Sequence, residues 1–167
     1  RVNEVLAACG QALCHGNVMA GQPACCLTLP EWQRCFARWI DHGSTGDLIA
    51  ARIFFDLRPV AGRLDLAAPL AALLCSPAAA TPRFVKRMAD VVLGNHVALN
   101  LFGRVVTTPH GGRAGFNLKT HGTAVFTDAA RLWALAHGIA ATATVPRLRA
   151  AAPRLGVPAA ECDAWVD

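Results

Sequence analysis

One stretch of this sequence admits a single secondary structure. Thr81-Pro82 is a helix-starting pair, with threonine at the N-cap and proline at the first helical position, where its missing N–H costs nothing. Phe84, Val85, Met88, Ala89, Val92 and Leu93 then recur at the spacing of a helix with one buried face, and Gly94 ends it. The same grammar repeats elsewhere. Val2, Val5, Leu6 and Cys9 form a stripe that stops at Gly10. Thr28-Leu29-Pro30-Glu31 is a capping box, opening a helix with Trp32, Cys35, Phe36, Trp39 and Ile40 on one face. Asp65 is placed to cap a helix through Leu74, and Thr127 or Asp128 one through His137 that closes at Gly138. Thr144 caps another, with Leu148, Ala152 and Leu155 inward, and Pro158 opens a last short helix to Trp165. Between these helices, Asn95 to Gly122 carries five glycines and reads as an extended loop, with a hairpin at Arg104–Thr107. A loop that long in a compact domain is usually functional or disordered.

The exception to the helical pattern is Arg52-Ile53-Phe54-Phe55-Asp56-Leu57-Arg58-Pro59-Val60. It reads as a short strand, with Phe54, Asp56 and Arg58 on one face and Ile53, Phe55 and Leu57 on the other. Pro59 and Gly62 follow as breakers, and strand signals end there. Two readings of the acid–base pair stand side by side. Asp56 and Arg58 are a solvated pair on an edge, or they form a site in which a carboxylate holds a hard cation and a guanidinium holds phosphate. The fold class is therefore mainly α: an antiparallel helical bundle over residues 62–167, preceded over residues 1–61 by a partial α/β segment.

Composition narrows the function classes. A hydrophobic fraction of 54% with 16% charged residues excludes a disordered chain. No apolar run is long enough to cross a bilayer, so no membrane role is expected. Seven cysteines show no CxxC and no zinc-ribbon spacing, and the odd count points to reduced thiols and a cytoplasmic setting. The one candidate thiolate metal set is Cys14, His15, Cys25 and Cys26, which crowd one loop. The net charge of +5 suits a polyanionic ligand. The closest basic cluster, Arg147, Arg149 and Arg154, has no interleaved aromatics, which argues against nucleic acid as a partner.

The motif IFFDLRPVAG resembles a family of nucleotidyltransferases found beside CBS or cyclic-nucleotide-binding domains in bacterial signalling proteins, and similar to PII uridylyltransferases and glutamine-synthetase adenylyltransferases. The likeness continues in Ala8-Cys9-Gly10, in Cys14-His15-Gly16-Asn17-Val18-Met19-Ala20 and in the Trp32 to Ile40 helix. It resumes at Asn117-Leu118-Lys119-Thr120-His121-Gly122 and at Asp128-Ala129-Ala130-Arg131-Leu132-Trp133-Ala134-Leu135. The resemblance implies the C-terminal part of a transferase domain over residues 1–61 and the substrate-binding helical domain over residues 62–167. It implies transfer of UMP or AMP from a nucleoside triphosphate to a protein side chain or small acceptor, with Mg2+ as cofactor and N-terminal regulatory domains on the same polypeptide. By resemblance, Asp56 is the third metal carboxylate and a catalytic residue, while Arg58, Lys119 and Arg131 are substrate- or nucleotide-binding. The family's Gly-Ser loop and paired aspartates are not among these residues, so the chain reads as a fragment expected to be inactive by itself. For Lys119 the other reading is a solvated loop lysine. For Arg131 it is an i, i+3 salt bridge to Asp128. The rival function is a non-catalytic signalling module that binds a partner protein through its bundle.

Overall fold

The computed structural model describes residues 2–16, 18–94, 102–110 and 113–167. The chain is mainly α. Its helices are α1 (Val2–Ala8), α2 (Leu29–His42), α3 (Thr45–Phe54), α4 (Ala68–Leu74), α5 (Pro82–Leu93), α6 (Ala124–Ala136), α7 (Thr144–Ala151) and α8 (Ala159–Val166). The capping signals act where the sequence puts them in α2 and α5. Thr28 and Glu31 close a capping box at the start of α2, and Pro82 occupies the first turn of α5, with Gly94 at its end.

One core joins the two halves of the chain. Phe36, Trp39 and Ile40 of α2 and Leu48 and Ala51 of α3 pack with Phe55, and against Leu70 of α4, Ala79, Phe84 and Met88 of α5, and Leu135 of α6. The aromatic side chains form a contiguous nest, with Phe36 and Trp39 stacked at 5.5 Å and Phe36 and Phe55 at 5.1 Å between centroids. Around this core α6 packs on both α5 and α7.

The strand expected over Arg52–Val60 is not formed. Arg52, Ile53 and Phe54 are the last turn of α3, Phe55 is its C-cap, and Asp56 sits in the turn that follows. Ser44 and Asp47 start this helix with a reciprocal capping box: the Asp47 amide donates to Ser44 Oγ at 3.2 Å, and the Ser44 amide donates to Asp47 Oδ2 at 2.9 Å. Helical spacing then buries Leu48, Ala51 and Phe55 at i, i+3 and i+7 on one face, which a strand would split between two faces. Among the described residues, positions 1–61 contain no strand.

Three further boundaries move. The two-stranded hairpin lies at β1 (Thr108–His110) and β2 (Arg113–Gly115), paired antiparallel, rather than at Arg104–Thr107. The expected loop through Gly122 gives way at Lys119 to a π-helical turn, Lys119–Thr123, that runs directly into α6. Thr127 and Asp128 are therefore inside a helix rather than at its cap. Asp65 lies within a 3₁₀ turn, Leu64–Ala67, that leads into α4. No helix among the described residues is long and apolar enough to cross a membrane.

Candidate functional site

Two helices face each other across an open groove, and each presents the same spacing to it. From α3 and the turn after it come Ile49, Arg52, Ile53 and Asp56; from α6 come Ala124, Thr127, Asp128 and Arg131. Both sets are i, i+3, i+4, i+7, one face of a helix. Lys119 and Thr123 of the π turn complete the lining, around about 970 Å³ of space open to solvent. A π turn is an uncommon way to begin a helix and recurs at functional positions. Here it sets Lys119 at the groove's edge.

The floor is a network of three guanidinium groups and two carboxylates. Arg131 Nε donates to Asp56 Oδ1 at 3.2 Å, its Nη2 donates to Asp56 Oδ2, and its Nη1 donates to Asp128 Oδ1 at 2.6 Å. Arg147, reaching from α7, donates Nη1 to Asp56 Oδ1 at 2.5 Å and Nε to the Ala141 carbonyl at 2.7 Å. Arg52 Nη2 donates to Asp128 Oδ2. Asp128, Arg131 and Arg147 are all buried, at 3%, 8% and 5% exposure, so the charges stay only because each is paired. Burial by itself pushes the Asp56 carboxyl up, but the hydrogen bonds and charges of Arg131 and Arg147 outweigh it and hold it below the usual carboxylate range. Burial pulls the Arg131 guanidinium down, and its two carboxylates more than reverse that.

Asp56 thus lines a groove between α3 and α6, from a helix end and not from the strand the sequence suggests. Arg131 makes the i, i+3 bridge to Asp128 and, in addition, a side-on fork to Asp56. Lys119 is exposed and makes no ion pair among the described residues. Arg58 is exposed and does not line the groove. Sequence reasoning missed Arg52 and the reach of Arg147. Arg52 was hidden by the strand reading. Read as a helix, the same segment would have set Arg52 beside Asp56 at i, i+4. Of the basic trio near the C-terminal end, Arg147 is buried, Arg154 donates to the His137 carbonyl, and Arg149 is exposed with no such bond among the described residues.

These residues do not fit a divalent cation. Both oxygens of Asp56 and both of Asp128 already accept guanidinium N–H groups, and three cations surround the two acids. A metal here would have to displace the guanidiniums and sit against their charge. Among the described residues no three His, Cys, Asp or Glu side chains come together to hold a metal, and all seven cysteines are free thiols.

A family model described as "Putative nucleotidyltransferase substrate binding domain" matches residues 82–167. The chain belongs to this family. A second model, "Putative nucleotidyltransferase DUF294", matches residues 1–46. Lys119, Asp128, Arg131 and Arg147 fall inside the substrate-binding-domain match, whereas Arg52, Asp56 and Arg58 fall in the stretch between the two matches. One wall of the groove thus lies inside the substrate-binding-domain match and the other in the stretch between the two matches. No curated protein and no solved structure matches the chain.

Proposed function

We propose that this chain is the substrate-facing part of a nucleotidyltransferase, similar to the PII uridylyltransferases, and that the groove between α3 and α6 receives the nucleoside triphosphate and the acceptor. The observation that supports this reading is the groove itself. In a chain of this family, two helix faces with complementary spacing meet over a fixed polar floor, and Lys119 stands exposed at the rim. The reaction is transfer of UMP or AMP to a protein side chain or small acceptor. Magnesium accompanies the triphosphate, and no residue of this chain is assigned to hold it. What the chain contributes is positioning. Lys119 supplies a mobile point charge for phosphate, and Asp56, Asp128 and Arg131 keep the groove floor rigid so that bound groups meet a defined surface. The division at residues 61 and 62 separates the transferase-like part from the helical part in this proposal, with the core packing between them keeping the two walls in register.

The test uses the full-length protein with an α-labelled nucleoside triphosphate and magnesium. Label should enter an acceptor. Lys119→Ala should raise KM for the triphosphate with a smaller effect on kcat, the pattern of lost ground-state binding. Absence of label transfer with every nucleoside triphosphate, or an unchanged KM in Lys119→Ala, overturns the reading.

A further inference from the structure

Five ionisable side chains line the groove and Arg147 joins their network from α7; the cations among them are not equally available. Arg131 spends Nε, Nη1 and Nη2 on two carboxylates and is buried. Arg147 lies behind Asp56, 6% exposed, with Nε and Nη1 engaged. Arg52 differs from both. Its side chain is 20% exposed, it lines the groove, and its only ion pair among the described residues runs from Nη2 to Asp128. The Nε and Nη1 edges carry no hydrogen bond among those residues. A guanidinium held at Nη2 by Asp128 still has an N–H at Nε, two at Nη1 and a second at Nη2 for an anionic oxygen.

The charge balance points the same way. Three guanidiniums against two carboxylates leave the floor with one net positive charge, and Lys119 adds another at the rim. Ile49 and Ile53, 51% and 52% exposed, stand on the same face of α3 as Arg52 and form an apolar ledge beside it. Apolar walls next to a charge weaken screening by water and strengthen its hold on an anion.

We propose that Arg52 and Lys119 together grip the phosphates of a nucleoside triphosphate, with Ile49 and Ile53 carrying the nucleoside. Asp128 orients Arg52, Arg131 orients Asp128, and Asp56 orients Arg131. Asp56 is then a positioning residue that acts through the arginines. This rests on the nucleotidyl-transfer reading and specifies its phosphate-binding side chains.

The experiment follows arginine modification in the wild-type full-length protein. Hydroxyphenylglyoxal labels accessible guanidiniums, and peptide mapping reads each site. Arg52 and Arg58 should be labelled in the free protein, and Arg131 and Arg147 should not. Saturating inorganic triphosphate should slow labelling of Arg52 at least tenfold and leave Arg58 unchanged. A nucleoside triphosphate should protect Arg52 at lower concentration than inorganic triphosphate, because it adds the ledge. Equal protection by the two refutes the role of Ile49 and Ile53. In binding titrations, Arg52→Gln, which keeps a donor for Asp128, should weaken inorganic triphosphate about ten- to hundredfold, the range for losing a charged hydrogen-bond donor. Labelling of Arg52 at an unchanged rate under saturating triphosphate overturns the clamp, whatever the variant does. Transfer activity with an unprotected Arg52 refutes only this assignment. Protection of Arg52 without any transfer refutes the enzymatic reading and leaves the clamp standing.

Discussion

Replacing Asp56 by asparagine isolates what its charge contributes. The swap keeps the shape of the side chain, removes the carboxylate, and turns an amide N–H2 toward guanidinium donors. Arg131 and Arg147 are 9% and 6% exposed at their side chains, so water does not take over the lost contacts. Removing one partner of a buried pair costs about 3–5 kcal/mol, because a charge is left buried without compensation. Two features of this site place the loss at the lower end. Asp56 is itself 30% exposed, and each arginine keeps another acceptor: Asp128 for Arg131 and the Ala141 carbonyl for Arg147. The expected loss is about 3 kcal/mol, or a fall in Tm of about 6–12 °C for a chain of this size. Urea unfolding followed by circular dichroism at pH 7 reads it directly. The pH dependence supplies the sign. Asp56 is held below its unfolded value, so its contribution is complete above the ordinary carboxylate value of about 4 and is lost as pH falls through the folded value. The gap between wild type and Asp56→Asn should therefore narrow as the solution is acidified below about pH 4. A urea midpoint equal to wild type at pH 7, or a gap that stays constant down the acid limb, refutes the argument that the carboxylate ties the three helices.

Two further outcomes test the packing. A Cβ on Gly43, at the end of α2, would lie 2.7 Å from the Trp39 carbonyl oxygen, so Gly43→Ala should destabilise by about 1–3 kcal/mol, and a neutral effect in the same urea assay would show that the α2–α3 connection yields easily. Exposed Cys14 and Cys26 should react with a thiol reagent well before buried Cys162, whose access requires opening of the α7–α8 packing. First labelling at Cys162, seen by mass spectrometry, would contradict that packing.

The helices and their starts were legible wherever a local signal was strong enough to act alone. The Thr28–Glu31 box, the Thr81-Pro82 pair and the stop at Gly94 each work through the backbone N–H and C=O groups next to them, and neighbours far along the chain do not alter that. The Asp128–Arg131 bridge was legible for the same reason, since three residues on a helix bring two side chains together. Arg52 to Asp56 was misread because Ile53, Phe54 and Phe55 favour a strand by propensity. Burial decided otherwise. Ala51 and Phe55, 0% and 2% exposed, fit the core against Phe36 and Phe84 only if the chain is helical there.

The site depended still more on tertiary structure. Asp56 meets Arg131 across 75 residues of sequence and Arg147 across 91. No spacing rule reaches that far. The contacts follow from α6 packing on α5 and α7 while α3 lies against the same core, which brings three helices together around one carboxylate. The sequence by itself determined that this chain is mainly helical, where several helices begin, and which family it resembles. The tertiary structure decided which charges are buried together and which remain open at the groove, because burial makes each charge take the partner within reach and leaves Arg52 and Lys119 as the more exposed cations lining it.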